Sequence, residues 1–153
     1  MKRISFADIP VPNGALIILD IDGTLTLSGA REVPLPIAQK VRLLVRDNIV
    51  YLCSNKKKKD RDAAVAETLG VPWIDSVYRK PSVRVLASIP RHEREGKSMV
   101  VIGDKMLTDG LLAFALKAHF FFVERLEGPD TPFIDRLYYF IDDIATRVLA
   151  PFF

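Results

Sequence analysis

Short apolar runs recur along the chain, and segments with helical spacing lie between them. Each run has the length and composition of a buried strand: Ala15–Leu19, Ile49–Cys53, Trp73–Val77, Ser98–Ile102 and His119–Val123. Strands that alternate with helices favour a parallel sheet covered by helices on both faces. We therefore expect an α/β protein, a Rossmann-like three-layer sandwich with a central parallel sheet of about five strands.

The segments between the runs carry apolar residues at helical intervals. These sets are Ile37, Val41 and Leu44, then Leu107, Leu111, Leu112 and Ala115, and finally Ile134, Leu137, Ile141, Ile144 and Val148. Asp60 is expected to cap a helix over Ala63–Leu69, and Gly70 stands where a C′ residue belongs. A last helix is predicted from Pro132 onward, with its apolar set on one face.

Length and composition place the chain among ordinary globular proteins. Its 153 residues, 49% hydrophobic and 27% charged, predict a single domain over residues 1–153. The net charge of +3 is too small to indicate nucleic acid as a partner. Cys53 is the single cysteine, so no intrachain disulfide can form. The run Ala15–Leu19 is too short for a signal segment or a membrane span, and a cytoplasmic protein is expected.

Polar residues follow the predicted strands directly. Asp20, Asp22 and Thr24 follow the first, Ser54 and Asn55 the second, Lys80 the third, and Asp104 and Asp109 the fourth. Ligands of such sheets bind beyond the carboxyl ends of the strands, where strand order reverses. These carboxylates, hydroxyls and the ammonium are therefore expected together at the edge formed by the carboxyl ends of the strands, which we call the rim.

This set of side chains suits phosphoryl transfer through an aspartyl-phosphate. A carboxylate nucleophile such as Asp20 is repelled by a phosphate, so a hard cation such as Mg²⁺ is needed between them. Asp20 and Asp104 can supply carboxylate ligands, and Asp109 can hold a bound water or act as a further ligand. Asp22 can protonate the leaving alkoxide and then deprotonate the attacking water.

The remaining rim residues can bind the phosphate. Ser54 can donate a hydrogen bond to a phosphoryl oxygen, and Lys80 can neutralise charge on the phosphate and on the nucleophile. Gly23 allows a sharp backbone turn beside the phosphate. Thr24 and Asn55 are further candidate phosphate-binding residues because they flank these groups.

Four motifs, "DIDGTLT", "LCSN", "RKPS" and "GDKMLTD", occur in order, each after a predicted strand. Over Leu16 to about Val123, the chain resembles the haloacid dehalogenase (HAD) superfamily of phosphatases. The resemblance implies Asp20 as nucleophile, Asp22 as general acid and base, and Ser54 and Lys80 as the phosphate-binding pair. It also implies a Mg²⁺ site formed by the Asp20 side chain, the Asp22 backbone carbonyl and Asp104, supported by Asp109.

The intervals Asp20–Ser54 and Lys80–Asp104 leave no room for a folded cap domain beyond a flap and one helix. The chain therefore resembles the capless members, subfamily IIIA. The pattern "SN…AETLGVPWI…RKP…VVIGDKMLTDG" is similar to the YqeG-type branch and the mitochondrial phosphatidylglycerophosphatases. That resemblance implies phosphatidylglycerophosphate as substrate.

Several alternatives stay open at this point. The substrate could be a small soluble ester, such as a sugar or nucleotide phosphate, hydrolysed by a homo-oligomer. A non-catalytic phosphate-binding domain would be expected to lose Asp20 or Asp22, and dehalogenase or phosphonatase chemistry normally lacks the Asp22-type acid or adds a cap lysine. The run Lys56–Lys59 is either a positive collar for an anionic substrate or membrane surface, or a solvated loop. The C-terminal "VLAPFF" is expected to pack on the protein's own core rather than on a membrane or another subunit.

Overall fold

The computed structural model describes residues 2–56 and 58–152 and has an α/β fold around a parallel sheet. The strands are β1 (Leu16–Leu19), β2 (Ile49–Leu52), β3 (Met99–Gly103) and β4 (His119–Phe122). Their order in the sheet is β2-β1-β3-β4, and every pair is parallel. The chain thus runs to one side of β1 and then returns to the other side, which makes the carboxyl ends of β1 and β3 the point where strand order reverses.

Helices cover both faces of the sheet, as expected. The helices are α1 (Leu35–Asp47), α2 (Lys59–Leu69), α3 (Arg91–Arg94), α4 (Leu111–Leu116) and α5 (Phe133–Leu149). Ile17 and Leu19 of β1 pack with α1 and α2, whereas Leu16 and Ile18 pack with α4 and the 3₁₀ helix Val83–Ser88. All four residues of β1 are buried because each face of this strand lies in a different apolar layer.

The sheet has four strands, so the prediction of about five is wrong. The segment Trp73–Val77 makes a single parallel bridge, Leu52 to Trp73, at the outer edge of β2. The Leu52 N–H donates to the Pro72 carbonyl and the Ile74 N–H donates to the Leu52 carbonyl. The chain then turns away from the sheet, and Val77 is 87% exposed. Apolar composition alone cannot distinguish such a bridge from a strand.

The boundaries of α2 correct a further expectation. The helix begins at Lys59, so Asp60 lies in its first turn, and the N-cap residue Lys58 provides no side-chain cap. An acidic residue in the first turn still complements the helix dipole. Gly70 ends the helix in the left-handed conformation, with φ of 66°, which confirms its predicted place.

The last helix, α5, begins after Pro132 as predicted, but its apolar set is exposed. Five residues of that set are 43–65% exposed: Ile134, Leu137, Ile141, Ile144 and Val148. Its buried residues are Asp135, Tyr139 and Asp142. The helix is oriented by the partners of these polar side chains rather than by its apolar stripe. The Asp142 carboxylate, for example, accepts hydrogen bonds from the backbone N–H groups of Met106 and Leu107.

Two sequence expectations fall partly outside the described residues. The run Lys56–Lys59 includes Lys57, and the C-terminal "VLAPFF" includes Phe153, which the structure does not describe. Leu149, within that tail, packs against the core as expected. Over residues 2–56 and 58–152, no helix combines the length and apolar character needed to cross a bilayer.

Candidate active site

A cavity of about 430 Å³ opens where strand order reverses, at the carboxyl ends of β1 and β3. Asp20 leaves β1 directly, and its N–H donates to the Ile102 carbonyl of β3, which holds the two strand ends together. Asp20, Asp22, Lys80 and Lys105 line the cavity. Four residues of α5 also line the cavity: Asp135, Tyr138, Tyr139 and Asp142. The C-terminal helix therefore borders the site.

The turn after β1 brings Asp20 close to Asp104. Gly23 has a φ of +85°, and a Cβ at this position would lie 2.7 Å from an Asp104 carboxylate oxygen. Only glycine both adopts this positive φ readily and leaves room for the Asp104 carboxylate. The buried Thr24 hydroxyl lies 3.1 Å from Asp20 Oδ2 and 3.3 Å from Asp104 Oδ1, and so it fixes the two carboxylates relative to each other. Thr24 thus lies beneath these acids rather than on the cavity surface.

Lys80 is the central cation of the site. Its side chain is 1% exposed, and its ammonium lies 2.5 Å from Asp20 Oδ1 and 2.7 Å from Asp109 Oδ1. Burial by itself would lower the pKa of Lys80, but the charges of Asp109 and Asp20 raise it well above its ordinary value. Lys80 is therefore a cation at neutral pH, next to the carboxylate that is the candidate nucleophile.

Asn55 positions Lys80 through the backbone. The Asn55 side-chain amide donates to the Lys80 carbonyl over 3.0 Å, and its oxygen accepts from the Lys80 N–H over 2.8 Å. Both backbone groups are thereby satisfied, so the lysine enters the site from a fixed point. Asn55 also lines the cavity, where a candidate phosphate-binding residue was expected.

Asp109 is supplied by a π-helical turn, Met106–Gly110, which leads directly into α4. The Asp109 carboxylate packs against the Cα of Gly103 so closely that a Cβ there would collide with it. Burial, opposed by the charge of Lys80, raises the pKa of Asp109 from 3.8 to about 7. Turns of this kind recur at functional sites, and this one aims an acid at the sheet end.

Asp104 is fully buried and lies between two cations that the sequence interpretation did not include. Lys105 Nζ lies 2.6 Å from Asp104 Oδ1, and Arg125 Nε lies 2.8 Å from Asp104 Oδ2. Lys105 Nζ also donates to the Asp22 backbone carbonyl over 2.7 Å and lies 3.8 Å from Asp20 Oδ2. Burial would lower the pKa of Lys105, but Asp20 and Asp104 raise it. Lys105 could have been predicted as a site residue because it lies inside the motif "GDKMLTD", whereas Arg125 follows β4 outside any motif.

Asp22 is held by a bidentate ion pair with Arg61 of α2. Arg61 Nη1 lies 3.0 Å from Asp22 Oδ1, and Nη2 lies 2.7 Å from Oδ2. The Gly29 N–H and the Ser54 hydroxyl each donate to the same carboxylate, over 2.8 and 2.9 Å. Ser54, the expected phosphate-binding hydroxyl, is thus engaged with Asp22. Arg61 was missed because an arginine in the first turn of a polar helix gives no sign that it is buried.

The acids of the rim form a group that fits a hard divalent cation. Asp20, Asp104 and Asp109 each offer a carboxylate oxygen, and these oxygens lie within 4.8 Å of one another. Mg²⁺ prefers oxygen ligands of this kind. The Asp22 carbonyl lies on the same side, since Lys105 contacts it together with Asp104. The donor set therefore has the chemistry required of a Mg²⁺ site.

The charges of the rim are paired throughout. Within the described part of the chain, the acids Asp20, Asp22, Asp104 and Asp109 contact the cations Arg61, Lys80, Lys105 and Arg125. Buried charges are tolerated only when they are paired in this way. The arrangement can present a carboxylate oxygen to an electrophile while adjacent cations neutralise an incoming anion. Comparisons with models of known protein families, with curated proteins and with solved structures found no significant match.

Proposed function

We propose that the protein is a Mg²⁺-dependent phosphomonoester hydrolase of the capless HAD type. The observation that carries this proposal is the environment of Asp20. Its carboxylate faces the cavity, contacts the buried ammonium of Lys80, and shares an oxygen cluster with Asp104 and Asp109. A carboxylate in such a place can attack a phosphorus atom, because the repulsion between two anions is offset by adjacent positive charge.

The reaction proceeds in two displacements. An oxygen of Asp20 forms a bond to phosphorus as the bond from phosphorus to the alcohol oxygen breaks, and Asp22 gives a proton to the departing alkoxide. Water then attacks the aspartyl-phosphate, Asp22 accepts the proton of that water, and inorganic phosphate leaves with Asp20 restored. Lys80 neutralises the phosphoryl oxygens in both displacements.

Side chains around these acids set their orientation. Arg61 and Ser54 hold the Asp22 carboxylate, which must give up its pairing with Arg61 before it can carry the proton of the reaction, and Thr24 holds Asp20 against Asp104. Asp20, Asp104, Asp109 and the Asp22 carbonyl would hold Mg²⁺, which supplies further neutralisation of the phosphate and of the nucleophile when bound. Positioning of this kind accounts for much of the catalysis of phosphoryl transfer.

The outer face of α5 supports a lipid phosphate as substrate. Tyr138 lines the cavity and is also exposed, and apolar residues of α5 continue from it across the protein surface. Lys56 and Arg79 line the same cavity and complement an anionic headgroup. An apolar face beside a cationic mouth suits an anionic bilayer whose lipid headgroup enters the cavity. These features favour a lipid phosphate, and the resemblance of the sequence motifs to phosphatidylglycerophosphatases leads us to propose phosphatidylglycerophosphate as that lipid.

Phosphate release tests the chemistry. Wild type and Asp20→Asn are assayed with Mg²⁺ on phosphatidylglycerophosphate in anionic vesicles and on soluble sugar, nucleotide and aryl phosphates. We expect release by the wild type and none by Asp20→Asn, with the exposed Asp130→Asn as the matched control that keeps full activity. Release that survives Asp20→Asn would contradict the aspartyl-phosphate mechanism.

A second variant tests the substrate class. Ile141→Gln combined with Ile144→Gln alters only exposed residues of α5. It should reduce both co-sedimentation with anionic vesicles and hydrolysis of the vesicle substrate, and it should leave hydrolysis of soluble esters unchanged. If the wild type is instead a dimer that this variant dissociates, and only soluble esters are hydrolysed, the face binds a second copy and the lipid assignment is wrong.

A further inference from the structure

The Lys105 ammonium lies among the oxygens that would hold the metal. Its Nζ atom is 2.6 Å from Asp104 Oδ1, 2.7 Å from the Asp22 carbonyl oxygen and 3.8 Å from Asp20 Oδ2. Side-chain carboxylates from the ends of β1 and β3 and a backbone carbonyl thus converge on one cation. The Lys105 side chain is only 21% exposed, so its charge needs such acceptors, whereas the charge of a lysine at the protein surface is stabilised by water.

The Lys105 ammonium fills the space between Asp104 Oδ1 and the Asp22 carbonyl oxygen, which a divalent metal bound to both oxygens would need. Mg²⁺ binds oxygen at about 2.0–2.1 Å and needs nearly ideal octahedral geometry. The Lys105 ammonium, at hydrogen-bond distance from two of the oxygens, occupies that volume. We propose that Lys105 is a built-in competitor of the divalent metal: its ammonium must leave the Asp104, Asp22 and Asp20 oxygens before the metal can bind them.

The cavity beside Lys105 can accept its ammonium when the side chain moves. Lys105 lines the 430 Å³ cavity, and its side chain is a long, flexible stem. Turning into the cavity moves the charge away from Asp104 while keeping it beside Asp20, where an incoming phosphate would be. Asp104 keeps Arg125 as a partner on its other oxygen after Lys105 leaves.

The same contacts explain what Lys105 does when no metal is bound. Without a cation at this point, Asp104 Oδ1 and the Asp22 carbonyl would lose their ammonium partner in a buried setting, which destabilises a fold. Lys105 therefore stabilises the metal-free protein and lowers its apparent affinity for metal. A neutral residue of similar length should reverse both effects.

Metal binding measures this competition directly. Mg²⁺ is titrated into the full chain by isothermal titration calorimetry, and Mn²⁺ binding is followed by electron paramagnetic resonance. Lys105→Met should bind either ion at least about 10-fold more tightly than the wild type, because the competing positive charge is removed from the ligand oxygens. Lys97→Met removes the same charge from an exposed site and should leave the affinity unchanged.

Thermal unfolding gives a second, independent readout. Added Mg²⁺ should raise the Tm of Lys105→Met and of Lys105→Gln by more than it raises that of the wild type, because metal replaces the missing ammonium. A variant that folds only when Mg²⁺ is present would support the proposal in the same way. Equal metal affinity in the wild type and both variants, or no metal binding by any of them, would overturn it.

The inference rests on the proposed function only for the choice of metal ligands, and the two fail in different experiments. Phosphate release that depends on Asp20, with metal affinity unchanged by Lys105→Met, would leave the phosphatase standing and remove the competition. Tighter metal binding by Lys105→Met without hydrolysis of any ester would support the competition between Lys105 and the metal and would contradict the proposed phosphatase activity.

Discussion

The rim at the strand ends and the outer face of α5 contrast sharply in what they bury. The rim buries Asp20, Lys80, Asp104 and Asp109 almost completely, whereas α5 exposes a continuous stripe of apolar side chains. Hydropathy would predict the opposite for both regions. The difference teaches that burial here follows the pairing of charges, because every carboxylate of the rim has a cation or a hydrogen-bond donor within reach.

The helix α5 belongs to the same system, since it is fixed to the domain by its polar side. Asp142 accepts the N–H groups of Met106 and Leu107 and lies 3.3 Å from Arg125. The Tyr139 ring lies 4.1 Å from the Arg125 guanidinium carbon, as a cation–π pair. The rim therefore continues outward into α5 through polar contacts, and the apolar stripe is left on the surface.

The largest expected effect is at Lys80. Lys80→Met leaves Asp20 and Asp109 without their shared cation, and breaking a buried pair in this way lowers the free energy of unfolding by about 3–5 kcal/mol. Urea unfolding followed by circular dichroism measures the loss. The matched control is Lys59→Met, whose ion pair with Asp75 has the same 2.7 Å distance but side chains that are 67% and 52% exposed.

For Lys59→Met we expect a change of less than about 1 kcal/mol, because exposed pairs are screened by solvent. Equal losses in the two variants would show that burial does not strengthen the pairing at the rim. That result would remove the main difference between the rim and the protein surface.

How far the sequence predicted the site depends on where each partner lies along the chain. The acids follow strands directly, so their convergence followed from the alternation of strands and helices. Arg61 and Arg125 contact Asp22 and Asp104 only through the tertiary fold, and no local pattern marks either arginine. Lys105 adjoins Asp104 in sequence, but its turn toward the Asp22 carbonyl depends on the π-helical turn that follows it.

The fold shows the same division between local and long-range information. Periodicity located α1, α2 and α5, because helical spacing is a local property. It could not say which face of α5 is buried, since that depends on polar partners at Met106, Leu107 and Lys56. Apolar composition also predicted a strand over Trp73–Val77, where the structure has only a single bridge to Leu52.

The next effect in size is at Asp142. Asp142→Ala removes the acceptor of two backbone N–H groups and a partner of Arg125. A hydrogen bond to a charged group contributes about 1.5–3 kcal/mol, and part of the loss is offset because the cost of burying the Asp142 charge is removed as well. We expect the free energy of unfolding to fall by about 2–3 kcal/mol in urea titrations. Asp143→Ala, one residue along the same helix and half exposed, should change it by less than about 1 kcal/mol. Similar losses for both would contradict polar attachment of α5.

A smaller effect is expected on the outer face of α5. Leu137→Gln and Ile144→Gln should each change the free energy of unfolding by no more than about 0.5 kcal/mol, because neither side chain is packed in a core. Leu44→Ala in α1 is the contrasting variant, and its fully buried side chain predicts a loss of about 2–5 kcal/mol. Urea unfolding at several protein concentrations measures both. A large loss at Leu137 that grows with protein concentration would show that this face is buried against a second copy.

The smallest effect concerns the pH dependence of the contact between α5 and Lys56. Burial would raise the pKa of Asp135, but hydrogen bonds from Lys56 and Ser28, over 2.7 Å each, outweigh it and lower the pKa below 3.8. A group with a lowered pKa in the folded state contributes stability above its unfolded pKa and loses that contribution as the pH falls through the folded pKa. The stability difference between wild type and Asp135→Asn should therefore be present at neutral pH and shrink below about pH 4.

Because the Lys56 side chain is 30% exposed, the difference at neutral pH should stay below about 1 kcal/mol. Urea unfolding of both proteins across the acid range measures it, with Asp130→Asn as the exposed control. A difference that is constant down to about pH 3 would mean that Asp135 acts through packing rather than charge. In that case α5 would be fixed by Asp142 and Tyr139, through their contacts with Arg125 and with the backbone of Met106 and Leu107.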